Sequence, residues 1–144
     1  MPRGYPDFFG FSIFPFHGTS YRQYYPLAAV GPLVETAILM IAGKGILFSG
    51  YIRITGAAAL TGQAIIYVDG ATYSVQDPYN AIVSGPRSEV NDIQVLSQYD
   101  TGINWFTILM TKQITFGFNL TLTYNERDNL APSIEAGLRY TLIQ

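Results

Sequence analysis

The sequence has no cysteine and a single histidine, and these two absences remove several kinds of chemistry together. Without thiols there is neither a disulfide framework nor a thiolate metal site, so packing or neighbouring chains must hold the fold. The lone imidazole, His17, stands in a proline-rich stretch next to Gly18. With no nucleophile set rigidly beside it, a hydrolytic triad is not expected.

Charge is scarce as well. Asp, Glu, Lys and Arg make up 12% of the chain, against roughly 25% in an ordinary soluble domain. A folded monomer of this size exposes about 7,400 Å² by the usual scaling, and eight basic and ten acidic side chains cover that thinly. Part of the outside is therefore expected to be covered by other protein, although Thr, Ser, Asn, Gln and Tyr also keep a surface wet. The basic residues are scattered at Arg3, Arg22, Lys44, Arg53, Arg87, Lys112, Arg127 and Arg139. They form no stripe that would neutralise a row of phosphates, which argues against direct nucleic-acid binding. The carboxylates are dispersed too; the nearest pairs, Glu89 with Asp92 and Glu126 with Asp128, read as solvated turns that would meet a Ca²⁺ only by chance of loop geometry. No metal, cofactor or catalytic residue is expected, and no carboxylate pair is favoured for sugar hydrolysis.

Long apolar runs are also missing. The longest, from Ala37 to Phe48, is interrupted by Gly43-Lys44-Gly45, too short for a membrane-crossing helix and better read as two strands meeting at a turn. Lys44 lacks the GxxxxGK[ST] spacing of a phosphate-binding loop. The first ten residues, MPRGYPDFFG, are broken by Pro, Gly and Asp before any run of signal-peptide length, so no secretion signal is expected.

Hydrophobic residues nevertheless reach 49% and aromatics 15%. Five of the eight prolines (Pro2, Pro6, Pro15, Pro26 and Pro32) precede residue 33, together with nine aromatics: Tyr5, Phe8, Phe9, Phe11, Phe14, Phe16, Tyr21, Tyr24 and Tyr25. Proline at that density forbids a continuous helix or a central strand, and disordered tails are normally poor in aromatics. Residues 1–33 therefore read as an extended arm, and residues 34–144 as the body. At about 150 Å² or more per ring the nine aromatics bury roughly 1,350 Å², close to a standard protein interface. They are the expected partner-contact residues; the alternative is an arm folded over its own body as a lid.

From residue 34 the period is two, as in half-buried strands. Along Gln113 to Tyr124, Ile114, Phe116, Phe118, Leu120, Leu122 and Tyr124 share one face; further on, Ile134, Ala136, Leu138, Tyr140 and Leu142 do the same. These two segments are expected to be antiparallel neighbours joined by the loop from Asn125 to Asn129. Shorter strands are expected at Val34 to Ile41, Ile46 to Thr55, Gln63 to Val68, Ala71 to Val75, Asp92 to Tyr99 and Ile103 to Met110. Asp69-Gly70 is a two-residue hairpin signal, and residues 76–91 read as a surface loop. About eight strands and no sustained helical period predict an all-β, two-sheet β-sandwich of jelly-roll topology, with a closed barrel as runner-up. Trp105 reads as core or interface, its alternative being a sugar-stacking platform with Tyr73, Tyr79 and Tyr99. The sequon Asn119-Leu120-Thr121 lies within a strand and reads as accidental.

Taken together, GYPDFFGFSIFPF, GKGILFSGYIRITG, IIYVDG, ITFGFNLTLTYNE and GLRYTLI resemble small structural proteins of tailed-bacteriophage virions. That resemblance implies an extended N-terminal arm and a jelly-roll body that forms trimers or rings on a capsid, neck or tail, as a head-decoration, cement or fibre-base protein located in the virion. Its partners would be copies of itself and a major capsid or other virion protein. No functional residue carries over through it. The alternatives are a carbohydrate- or receptor-binding sandwich, with a glycan as ligand, and an outer-membrane β-barrel, which alternating strands and a C-terminal GLRYTLIQ would suit.

Overall fold

The computed structural model describes residues 21–31, 33–56, 62–77, 93–100, 105–127 and 131–143. Among the described residues ten strands form: β1 (Tyr21–Ala29), β2 (Glu35–Ala42), β3 (Gly45–Thr55), β4 (Gln63–Val68), β5 (Ala71–Gln76), β6 (Gln94–Asp100), β7 (Trp105–Met110), β8 (Ile114–Phe116), β9 (Asn119–Asn125) and β10 (Ser133–Leu142). They make two antiparallel sheets, one in the order β1-β10-β3-β7-β6 with β8 continuing beside β3, the other in the order β2-β9-β4-β5. The protein is an all-β sandwich.

The alternation read in the sequence explains the layering. Ile134, Ala136, Leu138 and Tyr140 of β10, Ile52 and Ile54 of β3, and Phe106, Ile108 and Met110 of β7 line one wall of the core. Leu39 and Ile41, Leu120, Leu122 and Tyr124, and Ala64 and Ile66 line the other. Each fully buried aliphatic side chain here contributes about 1.5–3 kcal/mol relative to exposure. Because the strands fall into two sheets, each with its own pair of edges, a closed barrel, whether free-standing or membrane-spanning, is not what forms.

Pairing is nested along the chain. β4 pairs with β5, β3 with β7 and β8, β2 with β9, and β1 with β10. Successive rungs of this folded-back ribbon alternate between the two sheets. On one side a buried polar bridge joins the layers: the Gln76 amide donates to the Gln94 carbonyl at 2.6 Å, and the Gln94 amide donates to Ala64 O at 3.0 Å and Ser74 Oγ at 3.2 Å.

Three expectations need correction. The segment from Gln113 to Tyr124 is not one strand: it breaks at Gly117-Phe118, and Phe118, read as inward, is 61% exposed. The cause is Asp69, whose carboxylate accepts the backbone N–H groups of Gly117, Phe118 and Asn119 at 2.7–3.0 Å. Asp69 and Gly70 both have positive φ, 53° and 84°, as a two-residue hairpin turn requires, and the turn aims the carboxylate at the corner. Nor are the two best strands neighbours. β9 lies between β2 and β4, β10 between β1 and β3, because alternation selects the buried face of a strand without selecting its partner. Finally, the end of the segment read as an arm is a strand of the sandwich. Pro26 is accommodated because β1 is an edge strand and its register with β10 shifts between Tyr25 and Ala28, where a missing N–H removes no ladder bond.

Two outcomes follow. Leu122→Ala, at a fully buried position, costs about 2–5 kcal/mol in denaturant unfolding. The Asp69 carboxyl is held below its ordinary value of 3.8 by the N–H groups of Phe118, Asn119 and Gly117, in that order. A carboxyl depressed by folding adds stability above its unfolded value and loses it as pH falls through the folded one. Asp69→Asn therefore melts below the wild type at neutral pH, and the gap closes on acidification; a pH-independent gap would contradict this account.

Candidate functional site

The outer face of the six-stranded sheet carries the clearest concentration of functional groups among the described residues. It follows from alternation: opposite the buried Ile52 and Ile54, β3 turns Tyr51 and Arg53 outward, while β10 turns out Glu135, Gly137 and Arg139. On β1, Arg22 and Tyr24 face the same side. Tyr51, Arg53, Gly137, Arg139, Arg22 and Tyr24, together with Leu109 and Thr111, border a groove of about 730 Å³, within the size range of small-ligand sites.

Gly137 sets the floor. In register it lies between Tyr24 of β1 and Tyr51 of β3, and a Cβ built on it would stand 2.7 Å from Tyr51 Cε1. Only a bare backbone lets that ring lean across. Glu135 gathers the polar groups: it accepts from Tyr24 Oη at 2.7 Å and Tyr51 Oη at 3.4 Å, and pairs with Arg53 at 3.4 Å. Arg53 also approaches Thr107 Oγ1 at 3.5 Å and lies 5.2 Å from the Trp105 ring centroid. Both tyrosines are harder to ionise than a free phenol. For Tyr24 the hydrogen bond to Glu135 is the leading cause; for Tyr51 it is burial, followed by the Glu135 charge.

Farther along the groove, Arg22 and Arg139 stand directly opposite each other in the β1–β10 register, with Ser49 across from Arg139 on β3. The Arg139 guanidinium lies 5.6 Å from the Phe48 ring centroid. Among the described residues, neither of these two arginines makes an ion pair.

The expected contact residues divide. Tyr21 stacks on Tyr140 with centroids 5.6 Å apart, Tyr25 packs against the core, and Tyr24 belongs to the Glu135 cluster. Tyr5, Phe8, Phe9, Phe11, Phe14 and Phe16 lie outside the described residues, as do His17, Tyr79, Glu89, Asp92 and Asp128. Trp105 is half-buried and has a guanidinium over it, while Tyr73 is exposed on β5. Glu126 is not a solvated turn residue: it is 1% exposed, and its Oε1 accepts from the Arg127 N–H. No group of three or more potential metal ligands occurs among the described residues. The sequence reading missed the Tyr24–Tyr51–Arg53–Glu135 cluster. Its signal was present in the outward positions alternating with Ile52, Ile54, Ile134 and Ala136, but cross-strand register is needed to bring them together.

No family model matches this sequence, and no curated protein matches it.

Glu135→Gln is expected to move the Tyr24 and Tyr51 titrations down toward the ordinary phenol value in an absorbance pH titration. Its effect on stability should be under about 1 kcal/mol, because the Arg53 pair is washed by solvent.

Proposed function

We propose that the chain is a self-assembling sandwich subunit of a virion, decorating or cementing a phage capsid or neck through its body and its aromatic N-terminal segment. The observation that carries the assembly reading is the outer side of the four-stranded sheet. Across β2, β4, β5 and β9, Glu35 is the only charged residue, and its carboxylate is already occupied by the hydroxyls of Tyr67 at 2.6 Å and Thr123 at 2.7 Å. One row across the sheet reads Ala37, Thr123, Ile65, Val75, exposed at Ala37 and Val75 and covered at Thr123 and Ile65, and Met40 is 57% exposed two strands from Tyr67. The edge strand β5, ATYSVQ, has no charge at all, whereas edges that face water are normally blunted by lysine or proline.

Area decides how much this face can do alone. Four strands about 4.8 Å apart and about 20 Å long offer roughly 400 Å², half of the ~800 Å² per partner in a standard interface. Exposed Leu27, Leu33, Val34 and Phe118 and the aromatics before Tyr21 would supply the remainder. The nested pairing, alternating between sheets, supports a jelly-roll wind. The virion setting rests on the sequence resemblance.

A second reading, a carbohydrate- or receptor-binding module, is favoured by the Tyr24–Tyr51 groove, which lies on the opposite side of the sandwich and competes for none of the same surface.

Light scattering tests the first reading. The full chain should measure as an oligomer, and Met40→Lys with Val75→Lys, or removal of residues 2–20 with β1 left intact, should lower the mass while the melting temperature holds. A monomeric full chain, or masses unchanged in both variants, would overturn it.

A further inference from the structure

We infer that the outer groove of the six-stranded sheet binds an acidic sugar, with Arg22 and Arg139 holding its carboxylate and its pyranose ring resting on Tyr24 and Tyr51, an inference that rests on the glycan-binding reading of the same groove.

The arginine pair is the unusual feature. Residues directly opposite on an antiparallel pair have Cβ atoms about 5 Å apart, and like charges in that position are destabilising. Arg22 and Arg139 occupy such a position, in a chain with only eight basic residues and a net charge of −2. Three of those eight, counting Arg53, line this one groove. Arg53 is held by Glu135; the other two make no ion pair among the described residues. The Arg139 guanidinium lies 5.6 Å from the Phe48 ring centroid, a neutral neighbour that uses up none of its N–H donors. Two planar forks side by side match the geometry of one carboxylate.

The neighbouring groups favour a sugar as the carrier of that carboxylate. Tyr24 and Tyr51 stand on either side of Gly137, with the Tyr51 ring leaning over that glycine and both hydroxyls on Glu135 Oε2, so the pair presents an aromatic surface on which the C–H face of one pyranose ring can rest. Glu135 beside them, with Ser49 and Thr107 in reach of the groove, offers the acceptors and hydroxyl partners that a polyol needs. A phosphate backbone would need a longer row of cations than this groove holds.

The test is calorimetric titration of the full chain with neutral, uronic-acid, sialic-acid and sulfated oligosaccharides at low salt. Carboxylated sugars should bind at least tenfold more tightly than neutral ones, a preference lost in Arg22→Gln/Arg139→Gln, while Tyr51→Ala weakens all binding. Equal affinity for neutral and carboxylated sugars, or binding of sulfated sugars alone, would overturn the carboxylate assignment and leave the glycan reading standing. No binding by any of them would overturn both. Without ligand, Arg22→Gln/Arg139→Gln should melt at or above the wild-type temperature because it relieves repulsion; a lower melting temperature would show that the pair serves the fold, and would also overturn the inference.

Discussion

One carboxylate at a hairpin tip decides how this chain divides between its sheets. Asp69 takes up three consecutive backbone N–H groups, from Gly117, Phe118 and Asn119, at the corner where the chain leaves the six-stranded sheet after β8 and enters the four-stranded sheet as β9. Backbone donors at such a corner are costly to leave without acceptors. With them satisfied, β8 stays beside β3 and β9 crosses to lie between β2 and β4. The Gly43 N–H secures the same corner from the other side by donating to Phe118 O at 2.8 Å. The nested order of pairing, and with it the closed core, depends on this crossing.

Much of the layering was legible in the sequence because it is local. Alternation identified Ile134, Ala136, Leu138 and Tyr140, and Ile114, Phe116, Leu120, Leu122 and Tyr124, as buried faces, and Asp69-Gly70 as a turn. What was not legible is non-local. Phe118 continues the alternation perfectly, and only the acceptor 49 residues earlier shows why it points to water. Tyr21 to Ala29 looked like an arm because Pro26 excludes a central strand; an edge strand with a bulge meets the same restriction. Glu126, beside Arg127 and Asp128, looked like part of a wet turn, yet it is buried against the sandwich end. The candidate site escaped for a related reason: Tyr24, Arg53 and Glu135 come from three strands, and no spacing along the chain brings them together.

The two outer faces differ in a way that composition alone obscures. Low overall charge is not spread evenly. The four-stranded sheet carries one charged residue, while the six-stranded sheet concentrates three arginines and a glutamate around two tyrosines. A face of the first kind gains by being covered, since its loss of water is not opposed by stripping ions. A face of the second kind holds donors and acceptors that keep their value only when a polar partner or water remains in contact. The sandwich thus has one nearly uncharged outer side and one rich in charged and hydroxyl groups, and the core between them keeps the two apart.

Nesting also has a temporal side. β10 is the last of the ten strands in sequence, yet it sits between β1 and β3, so during synthesis the larger sheet stays split into two halves with bare edges until residues 133–142 have left the ribosome. Contacts of such long sequence separation fold slowly, on the order of milliseconds to seconds. In that interval the nascent polypeptide is most exposed to mispairing with other strands, and chaperone attention would be concentrated there.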